Sequence, residues 1–351
     1  MNKTLKQLLT SICLLWPLII YGADTSTLSS NEKKDVFIEP KVIERKSPTY
    51  PAIELKNANT GMVEVIFMID KEGNTFEPMV DVSSKSVFEK PALLSVKNFR
   101  YEPATLNGNP IESVKRTRVL FLVKNQDDQV SKSFYKSYKS ALKELKNEDS
   151  NKLKVQGKIK SMENSQHMSP YSYRHLNSVK HAYAEKFDTK QAQIDAIYQL
   201  LLFEGHSQDS KEILDNKTRV IFRRNLVALL IQTAQYGSAK DEYRILKSID
   251  PDASTIFKTP FKQINDIYKS DQPVQTQIHL NSQGYNSIRL FKNTFGFIEG
   301  SNISQLKLRC TKKFKILEYK PESEYNIPKS WGECYLQTIG TPDSSAQLYQ
   351  L

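Results

Sequence analysis

Three patterns of apolar and polar positions follow one another along the chain. From Ser47 to Lys124 the pattern is mixed. Val63, Val65, Phe67 and Ile69 alternate with Glu64, Ile66 and Met68, which predicts a strand with one buried face. Asp70-Lys-Glu-Gly73-Asn74 supplies a turn, and a second strand follows around Phe76–Val82. Phe88, Ala92, Val96 and Phe99 recur at steps of four, four and three, as one face of an amphipathic helix does. Ser86 is the candidate N-cap, and Pro91 falls near the end of the first turn. Asn107-Gly108 marks a turn before a final strand, Val114–Val123. The predicted order is strand, strand, helix, strand.

From Ser131 to about Ser270 the period is helical. Phe134, Tyr138, Ala141, Leu142 and Leu145 fall on one face, and Lys132, Lys136, Lys139, Lys143 and Lys146 on another. Nine lysines against three acids between Ser131 and Lys160 read as a solvated helix face, with a surface for an anionic polymer as the alternative. Further helices are predicted near Ser172–Phe187, Lys190–Phe203, Thr218–Tyr236, Ser238–Ile249 and Phe257–Tyr268. Ala239, Tyr243, Leu246 and Pro251, with Leu226 and Leu230 before them, resemble the two helices of a tetratricopeptide repeat. Val227 departs from that pattern, and no second copy stands 34 residues upstream. After Pro273 the period becomes that of short strands: Gln275–Leu280, Tyr285–Phe291, Gln305–Cys310, Phe314–Tyr319, Cys334–Ile339 and Gln347–Leu351.

The N-terminus changes how charge and cysteine are read. Lys3 and Lys6 precede an apolar stretch from Leu8 to Tyr21, ending in Gly22-Ala23 before polar residues. This is the layout of a secretory signal peptide, and Pro17 and the short apolar centre argue against a spanning helix. An uncleaved anchor is the alternative. Cleavage would remove two of the net +11 charges of the 351-residue chain and one of three cysteines, Cys13. Cys310 and Cys334 remain, and an even count in an exported chain predicts a disulfide. Its loop is worth about 3 kcal/mol in the chain-entropy model. Trp331 is expected to pack beside it. Export also removes nucleic acid as the reason for the basic balance and favours anionic envelope material.

The first region resembles the TonB C-terminal domain, the periplasmic end of the transducers that serve outer-membrane receptors. Ser47-Pro48-Thr49-Tyr50-Pro51-Ala52 is similar to that family's entry segment, and Gly61-x-Val63-x-Val65-x-Phe67-x-Ile69-Asp70 to its first strand. Phe88-Glu89-Lys90-Pro91-Ala92-Leu93 resembles its helix, and Phe99-Arg100-Tyr101-x-Pro103-Ala104-x-x-Asn107-Gly108 the segment before its last strand. The resemblance implies that an extended segment of a receptor adds to an exposed edge strand. Carried over, the receiving edge is Val114–Val123, with Pro48, Thr49, Tyr50 and Pro51 alongside. Val114, Lys115, Arg116, Arg118 and Leu120 are then the partner-facing residues, the three basic ones outward and favouring an acidic partner. Tyr50 and Phe99 also read as core residues. The family's transducers need a His-bearing anchor helix and a long proline-rich spacer. Here the apolar stretch has no His and residues 24–45 hold a single proline, Pro40.

Nothing in the sequence points to catalysis. His167, His175, His181, His206 and His279 form no metal-ligand spacing, and no nucleophile elbow or phosphate loop occurs. Ser133–Lys136 and Ser140–Lys143 fit Ser-x-x-Lys, but in a lysine-rich helix and without Lys-Thr-Gly. The reading is a multidomain α+β protein: signal peptide 1–23, linker 24–45, TonB C-terminal-like domain 46–125, tetratricopeptide-like helical domain 131–270 and small all-β domain 272–351. Its expected role is that of a non-enzymatic periplasmic protein, without cofactor or metal. The expected partner is a receptor segment or other envelope protein. An anchored transducer and a peptidoglycan-associated structural protein are the alternatives.

Overall fold

The computed structural model describes residues 35–123, 130–205, 207–208, 211–300 and 302–351. The expected signal peptide, Cys13, the first part of the expected linker and His206 lie outside the described residues. Among these residues no helix is long and apolar enough to cross a membrane.

Two short strands, β1 (Phe37–Ile38) and β2 (Lys41–Glu44), and a one-turn helix, α1 (Ala52–Lys56), precede the first sheet. That sheet begins with β3 (Gly61–Ile69), buried along its whole length, and β4 (Thr75–Ser83). Asp70 closes the turn between them. Its Oδ1 accepts the backbone N–H groups of Glu72 at 3.0 Å and Asn74 at 2.7 Å. Gly73 follows at φ +82°, where a Cβ would stand 1.8 Å from the Tyr101 carbonyl oxygen. A 3₁₀ turn over Ser86–Phe88 leads into α2 (Glu89–Val96), and no side chain caps it, so Ser86 does not play the expected part. Gly61 is also required, because a Cβ there would lie 2.3 Å from the Phe88 ring.

Next come β5 (Arg100–Glu102), β6 (Ala104–Leu106), β7 (Asn109–Ile111) and β8 (Ser113–Phe121). The main sheet is antiparallel in the order β4-β3-β8. Residues 36–44, expected as linker, are paired instead. Val42 of β2 stands opposite Tyr101 of β5, and Phe37 of β1 opposite Leu106 of β6. These strands lie on the surface, with Val42 and Ile43 exposed, so burial imposes no alternation on their sequence.

The helices are α3 (Lys132–Leu145), α4 (Lys152–Glu163), α5 (Pro170–Phe187), α6 (Lys190–Leu201), α7 (Asn216–Gln232), α8 (Tyr236–Ile249), α9 (Ala253–Ile256) and α10 (Lys258–Lys269). A two-stranded ribbon, β9 (Ser207–Gln208) with β10 (Lys211–Glu212), separates α6 from α7. Side chains at Ser131, Asn151, Ser169, Thr189 and Asp215 each accept a backbone N–H three residues on, which fixes five of the starts. Consecutive helices pack on one another around two apolar clusters. Arg223, almost wholly buried, bridges Glu204 and Glu242, and Arg224 forks onto Asp250 with two bonds of 2.7 Å.

The last region is all β: β11 (Val274–His279), β12 (Tyr285–Arg289), β13 (Thr294–Glu299), β14 (Ile303–Cys310), β15 (Lys313–Glu318), β16 (Tyr325–Asn326), β17 (Cys334–Gly340) and β18 (Ser345–Gln350). They form two four-stranded sheets, β11-β18-β13-β16 and β12-β17-β14-β15. β13 and β16 were not expected. The disulfide is present, and Cys310 and Cys334 face each other across β14 and β17 with Cα atoms 3.9 Å apart. Trp331 packs against the cluster that holds both cysteines.

The first sheet is apolar on both faces. Val63, Val65, Phe67, Val119 and Phe121 pack on α2. Met62, Val82 and Leu120, on the opposite face, join the cluster of α3–α5 with Phe134 and Tyr173. At the other end, Phe76 meets Phe314 of β15 with ring centroids 5.4 Å apart. Residues 36–351 accordingly cluster as one compact unit.

Candidate functional site

β8 is an edge strand. Its ladder runs to β3 from Ser113 opposite Ile69 to Phe121 opposite Gly61, and no strand pairs with its other side among the described residues. Alternate backbone N–H and C=O groups of such a strand point away from its one neighbour and invite another chain. Beside the open side runs the segment 45–48. Ser95 of α2 holds it by donating to the Lys46 carbonyl. A groove of about 150 Å³ is left between them, lined by Arg45–Pro48 on one bank and Thr117–Leu120 on the other. Tyr50 pins the segment to the end of the sheet. Its hydroxyl donates to the Asn59 carbonyl, and its ring stands edge-on to Phe88 and Phe121 at 6.0 and 5.6 Å. Burial, and then the charge of Glu54, pushes the Tyr50 phenol up to about 12, so it remains a neutral donor.

The side chains of β8 are already engaged. Glu64, on the neighbouring strand and directly opposite Arg118, accepts Arg118 Nε at 2.9 Å and Arg116 Nη1 at 3.1 Å. Arg116 also reaches Asp81 at 3.1 Å, and Arg118 donates to the Glu204 carbonyl of the helical region at 2.8 Å. Burial pushes the Asp81 carboxyl up to about 6, against the pull of Arg116 and with the help of neighbouring Glu64.

A family model described as "Gram-negative bacterial TonB protein C-terminal" matches residues 46–122. Residues 46–122 form a TonB C-terminal domain. The match takes in about a fifth of the chain and leaves the helical and all-β regions outside it. Six solved chains match. One is the solution NMR structure of the Pseudomonas aeruginosa TonB CTD, at 21% identity, covering 25% of this chain and 91% of that one, with a TM-score of 0.23. No curated protein matches. The TonB C-terminal family is an envelope family and in general non-enzymatic.

Within the TonB domain the expected partner-facing residues divide. Of Pro48, Thr49, Tyr50 and Pro51, Pro48 lines the groove beside β8, and Tyr50 is spent on the core and the sheet end. Lys115, Arg116 and Arg118 are not free outward charges. Arg116 and Arg118 are taken by Glu64 and Asp81, and Lys115 by Glu39 at 2.8 Å. For the two arginines the reason is the buried acid on β3, which needs cations at its own register, whereas Lys115 makes a surface pair with the exposed Glu39. Leu120, and Val114 on the same face of the strand, point toward the other regions, and Leu120 packs on the helices. Arg45 and Lys46, exposed on the groove's far bank, escaped the sequence reading. Lys132, Lys136, Lys139, Lys143 and Lys146 are all exposed on α3 and the residue after it, with Lys139 also over the Tyr135 ring at 4.5 Å. Among the described residues no three His, Cys, Asp or Glu side chains converge as a metal site requires.

Proposed function

We propose that this is an exported, non-enzymatic periplasmic protein that captures an extended segment of an outer-membrane receptor or another envelope protein by strand addition to β8. The observation that carries the proposal is the groove between β8 and the 45–48 segment, on a domain of the TonB family. Backbone hydrogen bonds supply the affinity of such an addition, and the groove walls its selectivity. The tetratricopeptide-like helical hairpins and the all-β region would carry a second partner, linking the captured segment to another envelope component.

The test is titration of the full chain with N-terminal periplasmic segments of candidate receptors, followed by amide hydrogen exchange. Addition to β8 is expected to slow exchange in residues 114–120, leaving β4 at the other edge unchanged. Binding that leaves 114–120 unprotected, or no binding by any segment, would overturn the proposal.

A further inference from the structure

A second site lies where the three regions meet. A cavity of about 470 Å³ opens between the outer face of the TonB-type sheet, helices α6 and α8, and the all-β region. Its volume is in the range of small-molecule sites, roughly 300–1,000 Å³. Its charge is opposite to that of the protein. Among the described residues five carboxylates and two guanidiniums line it, and no lysine does, in a chain of net charge +11. An excess of one sign on such walls focuses the field on the enclosed space and favours a counter-ion there, and here the excess lies with the carboxylates that the two guanidiniums leave unpaired.

The wall contains a repeated arrangement. Arg116 pairs with Asp81 at 3.1 Å and lies over the Tyr335 ring at 5.4 Å. Arg289 pairs with Asp241 at 3.2 Å and lies against the same ring at 5.6 Å, while the Tyr335 hydroxyl donates to Asp241. Twice, then, a guanidinium is held between a carboxylate and a tyrosine face. Asp195 and Tyr198 offer the same two components three residues apart on α6, within the same lining. Among the described residues no Lys or Arg is ion-paired with Asp195, although the Arg116 charge is near enough to act on the Tyr198 phenol. Among the described residues Asp195 accepts only the Gln191 side-chain amide, at 2.8 Å. Glu89, a further lining carboxylate, is likewise bonded to a neutral amide, that of Gln283. Asp195 is open to the cavity but has protein around it on most sides, and this burial holds its carboxyl above the usual range, with only His279 opposing as a nearby charge.

We infer that this cavity binds an organic cation, a guanidinium or primary amine of side-chain size, between the Asp195 carboxylate and Tyr198, with Glu89 adding to the field. A metal ion fits less well, since no three ligating side chains converge among the described residues. A ligand seated there would touch all three regions at once.

The experiment is calorimetric titration of the full chain with Nα-acetyl-arginine amide, its neutral isostere Nα-acetyl-citrulline amide, and spermidine. The arginine probe or spermidine is expected to bind, and the citrulline probe at least about tenfold more weakly, the scale of one charge-assisted contact. Asp195→Asn should weaken the cation at least about tenfold while leaving the thermal midpoint within a few degrees, because its one amide partner can be kept. Tyr198→Leu should weaken it several-fold. The arginine probe against spermidine tells a peptide side chain from a free polyamine. Equal binding of arginine and citrulline probes, unchanged affinity in Asp195→Asn, or no heat from either cation at millimolar concentration would each overturn the site.

Discussion

The covered outer face of the TonB-type sheet can be tested at Phe134. This side chain, 1% exposed on α3, packs in one cluster with Met62 of β3 and with Val82 and Leu120 from the two flanking strands. Truncation to alanine removes a buried ring from a site bounded by both regions and costs about 3–5 kcal/mol. At tenfold per 1.4 kcal/mol, this corresponds to amide exchange about 10² to 4 × 10³ times faster wherever exchange proceeds through the shared opening. The assay is hydrogen exchange with mass spectrometry on the full chain, comparing peptides from α3–α5 with peptides from β3, residues 61–69. If the sheet and the helices share a core, both sets accelerate together in Phe134→Ala. If only the helical peptides accelerate and 61–69 keeps its protection, the outer face is not a shared core and the reasoning is wrong.

Two further predictions concern titration and the cross-link. The Asp81 carboxyl is raised to about 6 in the folded protein against about 3.9 unfolded. Between those values the native state holds the extra proton, so this group makes stability fall as pH rises from about 4 to about 6, by an amount on the order of 2–3 kcal/mol. Asp81→Asn should flatten that part of the curve, and urea midpoints across the window that keep the same slope would refute the assignment. The Cys310–Cys334 cross-link closes a loop of sequence separation 24. Replacing both cysteines by serine should cost about 3 kcal/mol. Trp331 fluorescence reports the local transition, and an unmoved midpoint would show that the bridge adds no stability.

Much of the architecture is legible in the residues. The alternation of Val63, Val65, Phe67 and Ile69, the Asp70–Gly73 turn and the steps from Phe88 to Phe99 give the strand, turn and helix of the TonB domain because each has a buried face to obey. The helical segments follow from their period. The Pro170 and Asp215 starts also carry their caps in sequence. What escaped lacks such a constraint or is interrupted. β1 and β2 are surface strands held by backbone pairing, and β13 (Thr-Phe-Gly-Phe-Ile-Glu) has Gly296 at its centre, placed against the Tyr349 ring. One signal was present and underused. Met62, Ile66 and Met68 occupy the face of β3 that one-sided alternation assigns to water. A strand apolar on both faces is one covered on both. Reading it so would have predicted that the TonB domain is not a free-standing module here.

The misreading of Arg116 and Arg118 has the same origin, and it moves the source of selectivity at the edge. Glu64, 8% exposed in the middle of that covered face, must be paired, and the two arginines opposite it on β8 do this. They are then unavailable to an incoming chain without exposing a buried acid, a loss greater than a surface ion pair returns. A strand added as proposed would therefore meet the backbone of β8 on one side. On the other it would meet Arg45 and Lys46, which are exposed along the groove's far bank. A preference for acidic segments then belongs to that bank. Being solvent-exposed, it is screened at high salt while the backbone pairing persists, so salt should erode the choice among segments more than the capture itself.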